Sequence, residues 1–217
     1  MTDFKAARIA MVDCQIRPSD VTRYPIIQAM LNVPREEYLP TEAQPVAYMG
    51  EHVEIAPGRV CLDPRVLAKM IDALAIQPGD LVLDIGAGLG YSTAVAARIA
   101  EAVVALEEDE ALAEEAAATL SAQGVDNAVV ETGPLAEGAP AHGPYDVILF
   151  QGAVETVPDA IVDQLRENGR IMIIEMMGAL GVAKLGVKGA NGITWRRSFD
   201  ATAPVLPGFA REKAFVF

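Results

Sequence analysis

Residues 81–100, LVLDIGAGLGYSTAVAARIA, constrain the fold of this chain more than any other stretch. Leu81 to Ile85 is an apolar run of strand length, Gly86, Gly88 and Gly90 follow at alternate positions, and a run of small residues at helical spacing comes next. A strand that ends in glycines and feeds a helix is a unit of an open α/β sheet, and such sheets bind ligands at the carboxyl ends of their strands. Glycines are required there because the backbone turns sharply or approaches a ligand closely. The spacing separates ligand classes. A dinucleotide fingerprint counted from Gly86 puts its third glycine at Tyr91, whereas this chain reads D-x-G-x-G-x-G-Y from Asp84, and no Gly-Lys-Ser/Thr follows to make a phosphate loop. No Lys or Arg lies between Leu81 and Ala97, so nothing there neutralises a polyphosphate.

The pattern around this unit predicts the rest of the fold. AVVAL reads as a strand, EDEALAEEAAATLSAQG as a helix stopped by Gly124, NAVVET and YDVILF as strands, PDAIVDQLREN as a helix and GRIMIIE as a strand. Strands that are apolar on both faces and alternate with helices predict a doubly wound, mostly parallel α/β sheet. Beyond Glu175, GVAKLGVKGANGITWRRSF alternates about Asn191-Gly192, which predicts antiparallel strands at one edge. Residues 1–63 carry prolines at 18, 25, 34, 40, 45 and 57, spacing that disfavours long helices and predicts a helical and loop cap on a core of residues 64–217 in one compact unit.

Charge and composition exclude several functions. A net charge of −13 without a basic stripe argues against nucleic-acid binding. No apolar stretch reaches the roughly 18–20 residues of a membrane span, and residues 1–10 lack a signal-peptide core, so a cytoplasmic location is expected. Cys14 and Cys61 form no CxxC pair and His52 and His142 stand far apart, so no metal site is expected. Glu107 ends the second strand roughly 20 residues after the glycine turn, where a carboxylate accepts from ribose hydroxyls. Glu108, Asp109 and Glu110 read as the charged start of a helix.

The D-x-G-x-G-x-G-Y turn resembles motif I of the S-adenosylmethionine-dependent methyltransferases. More of the chain resembles the protein-L-isoaspartate O-methyltransferases: QIRPSDVTRYPIIQAMLNVPREEYLP (15–40), with VPRE at Val33 to Glu36, AYMGEHVEIAPGRVCLDPRVLAKMIDAL (47–74), VLDIGAGLGYSTAVAA (82–97) and PYDVILFQGAVETVPDAIVDQLRENGRIM (144–172). On the residues alone, VPRE reads equally as a helix-terminating turn that packs the cap. The resemblance implies methyl transfer from S-adenosylmethionine to the α-carboxyl of isoaspartyl residues in damaged proteins. It implies a cofactor site of Asp84, Gly86, Ala87, Gly88, Gly90, Tyr91, Ser92, Glu107, Leu135 and Gln151. A carboxylate is already nucleophilic at neutral pH, so alignment and desolvation replace a general base.

The sequence departs from that family at the acceptor loop. Where relatives read G-Q-T-I-S-x-P, this chain has GRVCLDP, so Val60 and Leu62 replace both hydroxyl residues, and Cys61 is expected to be a buried packing group. Arg59 and Arg65 are either a bidentate fork for an incoming carboxylate or solvated loop charges. After the third strand, Gly133-Pro134-Leu135 replaces G-D-G, leaving Leu135 for apolar contact with adenine. Gln151 and Glu155 fall where the acceptor pocket is expected, although Glu155 also reads as the start of the next helix. Three functions follow from these residues: isoaspartyl methyl transfer with a rebuilt loop, methyl transfer to another acceptor, or non-enzymatic binding of the cofactor. A monomer is expected, with the apolar residues of 199–217 covering the sheet edge or a partner subunit, the edge being preferred.

Overall fold

A computed structural model describes residues 3–211. The chain opens with α1 (Phe4–Met11), which continues without a break through a wider turn, Val12–Ile16, and a tighter one, Arg17–Ser19. This helical run is longer than the proline spacing suggests because Pro18 lies in its last turn and Asp20, at φ 65°, ends it. After α2 (Tyr24–Asn32) come a single turn, Arg35–Tyr38, and a hairpin of β1 (Val53–Ala56) and β2 (Arg59–Cys61). Helix α3 (Pro64–Leu74) then leads into β3 (Leu81–Ile85).

The core alternates as expected: α4 (Tyr91–Ala97), β4 (Ala102–Glu107), α5 (Glu110–Ala122), β5 (Ala128–Thr132), β6 (Tyr145–Val154), α6 (Asp159–Asp163), β7 (Leu165–Met177), β8 (Leu180–Gly189) and β9 (Gly192–Asp200). Asp109 caps α5 by accepting from Ala111 N at 2.9 Å and Leu112 N at 3.1 Å. Gly124, at φ 67°, follows that helix. The main sheet runs β5-β4-β3-β6-β7-β8-β9, parallel from β5 to β7 and antiparallel from β7 to β9. Apolar layers cover both faces: Met30, Leu67, Ile71 and Val95 belong to one, Phe150, Ile161, Leu206 and Phe209 to the other. Among the described residues no helix is long and apolar enough to cross a membrane.

Three local expectations change. Helix α6 stops at Asp163 because buried Leu165 pairs with Tyr145, so the sheet ladder takes residues that the helical pattern had claimed. The last hairpin turns at Ala190-Asn191, and Gly192, at φ 107°, starts β9. Among the described residues, the final apolar segment leaves the edge strand. Residues 201–209 run over the carboxyl end of β6 instead, where Ala153 N donates to Pro204 O at 2.8 Å, Leu206 N to Ala153 O at 2.9 Å and Glu155 N to Phe209 O at 2.9 Å. Phe209 is buried edge-on against Phe150. Residues 212–217 of that segment lie outside the described residues.

Candidate active site

From β3 the chain winds outward through β4 and β5, then returns to β6 beside β3 and winds the other way. The switch point therefore lies at the carboxyl ends of β3 and β6, where Asp84, the glycine turn and Gln151 are found. Gly86, Gly88 and Gly90 all have positive φ (74°, 57° and 90°), which L side chains rarely adopt. The amides of Gly86 and Ala87 both donate to Leu106 O, at 2.8 and 3.1 Å, which ties the turn to the end of β4.

Glu107 is fully buried at that end. Its Oε2 accepts from Gly88 N at 2.8 Å, and its Oε1 from Glu108 N at 2.9 Å and Asp109 N at 3.2 Å. The carboxylate also carries Arg59, whose Nη1 donates to Oε1 at 2.7 Å and Nη2 to Oε2 at 2.5 Å. Arg59 is itself only 6 % exposed. This is a two-armed buried ion pair between the β1–β2 hairpin and the glycine turn.

Asp84 is equally buried and lies across the switch point from Gln151. It accepts from Ser92 Oγ at 2.6 Å, Thr93 Oγ1 at 2.7 Å and Gln151 Nε2 at 2.8 Å. Burial pushes its carboxyl up to about 6, against the pull of these three donors. The folded protein thus keeps this proton to higher pH than the unfolded chain does. The associated stability is present at low pH and lost as pH rises through the window from about 4 to about 6. Asp84→Asn removes the titration. The stability of the wild type relative to this variant should fall by up to ~3 kcal/mol between about pH 4 and pH 6 and stay level above. Urea unfolding of both proteins across that range tests it; a difference that does not vary with pH rules it out.

At the acceptor loop both arginines already pair with carboxylates of the chain, Arg59 in a buried pair and Arg65 in one where its side chain stays 47 % exposed. Arg59 is held by Glu107 as described, and Arg65 is held by Asp63, Nη2 donating to Oδ2 at 2.5 Å and to Gly50 O at 2.7 Å. Burial would raise the Asp63 carboxyl, but the bonds from Arg65 outweigh it and hold Asp63 below its usual value. Both expectations for Arg59, a fork and a solvated charge, are corrected: a carboxylate 48 positions away in sequence had already taken it. Leu62 is buried and its carbonyl accepts from Arg35 Nη2 at 2.9 Å. Val60 and Cys61 are half-buried, and burial pushes the Cys61 thiol up, so it is no ready nucleophile.

Other sequence candidates are placed differently from expectation. Leu135 is fully buried among Leu83, Ile85 and Leu106, so its side chain belongs to the core beneath the turn. Tyr91 faces the cap, its ring under the Arg35 guanidinium at 4.8 Å. Glu155 does not start a helix, since α6 begins at Asp159. Its Oε2 accepts from Arg211 N at 2.7 Å, and it lines a cleft of about 320 Å³ with Asp159, Glu175 and Trp195. Thr93, Arg35 and Ile55 were not anticipated. Thr93 was legible as a hydroxyl beside Ser92; Ile55 carried no signal, because only the hairpin's placement brings it to Gly88.

A nucleoside cofactor does not fit this site as folded. Ile55 Cδ1 lies 2.4 Å from where a Cβ on Gly88 would stand, and Leu206 and Arg59 crowd Gly86 in the same way, at 3.1 and 3.3 Å. The space left beside the turn, bounded by Tyr38, Val60, Tyr91 and Gln151, is about 10 Å³, no more than one water requires.

Comparison with known proteins assigns this architecture. The model of the protein-L-isoaspartate(D-aspartate) O-methyltransferase family matches residues 8–197. A protein-L-isoaspartate O-methyltransferase of Roseiflexus castenholzii is 39 % identical over 79 % of this chain and 78 % of its own length; one from Rhodopseudomonas palustris is 38 % identical over 79 % and 70 %. Among solved structures, a protein-L-isoaspartate O-methyltransferase superposes with a TM-score of 0.79 at 23 % identity, over 94 % of this chain and 66 % of that one. A Plasmodium falciparum structure in complex with S-adenosyl-L-homocysteine also gives 0.79, at 21 % identity, over 95 % of this chain and 99 % of that one. These two agree in fold, and the first two, with the family model, in sequence along most of the chain. On that extent of agreement, the chain belongs to the protein-L-isoaspartate(D-aspartate) O-methyltransferase family.

Proposed function

We propose that this protein transfers a methyl group from S-adenosylmethionine to the α-carboxyl of L-isoaspartyl residues in proteins and peptides. The observation that carries this reading is the family match over residues 8–197, which includes the glycine turn and Glu107. The geometry of Glu107 supports it: three main-chain N–H groups hold its carboxylate at the end of β4, as a group that accepts from a ribose diol requires. The acceptor is a nucleophile without help, so the protein's part is to align it and exclude water. Val60, which lines the space beside the turn, suits an apolar wall that strips water from an attacking oxygen. The β9 edge carries Arg196, Arg197 and Asp200, charges that oppose edge-to-edge pairing and favour a monomer.

Transfer of labelled methyl to an isoaspartyl peptide, with the aspartyl peptide and the protein alone as controls, tests the proposal. The last control is needed because Asn191-Gly192 is exposed and can deamidate to an acceptor itself. Base-labile label on the isoaspartyl peptide alone is the expected result; label on neither peptide, from protein that binds cofactor, refutes it. One observation favours a second reading, a non-enzymatic protein: Arg59 stands on Glu107.

A further inference from the structure

We propose that Arg59 is a built-in occupant of the ribose position, and that S-adenosylmethionine and the Arg59–Glu107 pair exclude one another. The inference rests on the methyltransferase reading for the identity of the displaced ligand, and on the geometry of this chain for everything else.

A ribose diol offers a carboxylate two O–H donors side by side. The edge of a guanidinium offers two N–H donors in the same arrangement, with a positive charge added. Arg59 uses that edge in full, one nitrogen to each oxygen of Glu107, at 2.7 and 2.5 Å. Neighbouring side chains complete the closure. Ile55, on the other strand of the hairpin, lies on Gly88, and Leu206 lies on Gly86. The two glycines that would admit a ligand to the backbone are thus both covered by the chain's own side chains.

The closure is built to open. Arg59 begins β2, directly after Gly58 at φ 72°, so the side chain sits beside a tight turn. The hairpin's Val53 packs in a small cluster with Leu39 and Ala47, while Ile55, Ala56, Val60 and Cys61 rest on the rim of one of the two layers that sandwich the main sheet. Lifting the hairpin therefore uncovers that rim and leaves the layer on the other face intact. Nor does Glu107 become an orphan when Arg59 leaves, because the amides of Gly88, Glu108 and Asp109 still hold it. Val60, half-buried next to Arg59 on the same hairpin, adds an apolar contact and no polar group that calls for a ligand.

Isothermal titration with S-adenosyl-L-homocysteine tests the proposal, on wild type and on Arg59→Gln, the residue found at that place in the resembling motif. Apparent affinity is the intrinsic affinity reduced by the fraction of molecules that are open, so a closed site binds weakly. Arg59→Gln should bind at least about tenfold more tightly than wild type, as for a site open in a tenth of wild-type molecules or fewer. Arg59→Lys keeps the charge but cannot bridge both oxygens; it should lie between them, and it serves if Arg59→Gln does not fold. No gain in affinity in either variant overturns the proposal, whether because wild type already binds as tightly, because the variants bind more weakly, or because none binds.

Methyl transfer to the isoaspartyl peptide, run alongside, separates the two readings. An Arg59→Gln protein that binds S-adenosyl-L-homocysteine more tightly than wild type but methylates nothing removes the acceptor assignment and leaves the role of Arg59 standing. Wild type that binds as tightly as both variants and methylates the peptide removes the role of Arg59 and leaves the acceptor assignment.

Discussion

Replacing Glu107 by alanine should cost about 3–5 kcal/mol of folding stability, the range for breaking a buried ion pair from one side. The loss is large because of what remains. The substitution leaves the Arg59 guanidinium 6 % exposed with its two-armed partner gone, and leaves the amides of Gly88, Glu108 and Asp109 without their acceptor. Against a typical total of about 5–15 kcal/mol, such a loss brings the protein near its unfolding threshold. Arg59→Met is expected to cost less, since Glu107 keeps three donors and the methionine fills part of the space. The double variant separates the pair from its parts: it should be more stable than the sum of the single losses by about 1–3 kcal/mol. Urea denaturation of the four proteins gives the comparison. Losses that simply add would show that the pair is not coupled, and that Glu107 stabilises the fold through the glycine turn alone.

That pair also marks the limit of what was legible in the sequence. Local signals carried the fold: the two-sided apolar run Leu81–Ile85, the charged helix start at Glu108 to Glu110, the stop at Gly124 and the alternation after Glu175 each depend on near neighbours, and each appears within a residue or two of where the pattern places it. The errors arise where tertiary pairing competes with a local pattern. Leu165 reads as helical and is claimed by Tyr145; residues 201–209 read as an edge cover and are claimed by the end of β6. At the site, the glycine spacing and Glu107 were readable because they belong to one strand-turn-helix unit. The partner of Glu107 was not, because it comes from a hairpin 48 positions earlier, and nothing near Arg59 in sequence indicates which carboxylate it meets. Leu135 failed for a related reason: sequence places it after β5, but only packing decides whether it points to the ligand side or into the core.

Arg35 is the second position where a single substitution should have a large effect, and its outcome depends on what replaces it. The side chain is fully buried, with Nε donating to Ala47 O at 2.7 Å and Nη2 to Leu62 O at 2.9 Å and Cys61 O at 3.4 Å. It stacks over Tyr91, and its Nη1 has no partner among the described residues. Arg35 thus joins the turn after α2 to the segment before the hairpin and to the segment after it, and the next residue, Glu36, joins the same turn to Arg8 and Tyr48. Arg35→Ala opens a void and strips three carbonyls of a donor, which should cost about 3–5 kcal/mol. Arg35→Lys should recover little, because one ammonium cannot serve Ala47 and Leu62 together. Arg35→Met decides between two roles. All the hydrogen bonds of Arg35 go to main-chain carbonyls, so a buried cation here carries a desolvation cost that an apolar side chain of similar volume avoids. If the cation holds the fold, Met should fall within about 1 kcal/mol of Ala. If Met matches wild type in stability, the fold needs only the volume, and the guanidinium beneath the acceptor hairpin is retained for the site it supports. Thermal and urea unfolding of the three variants distinguishes these outcomes. The hydrogen bonds to two separate segments make the first the expected one, with Met and Ala both far below wild type.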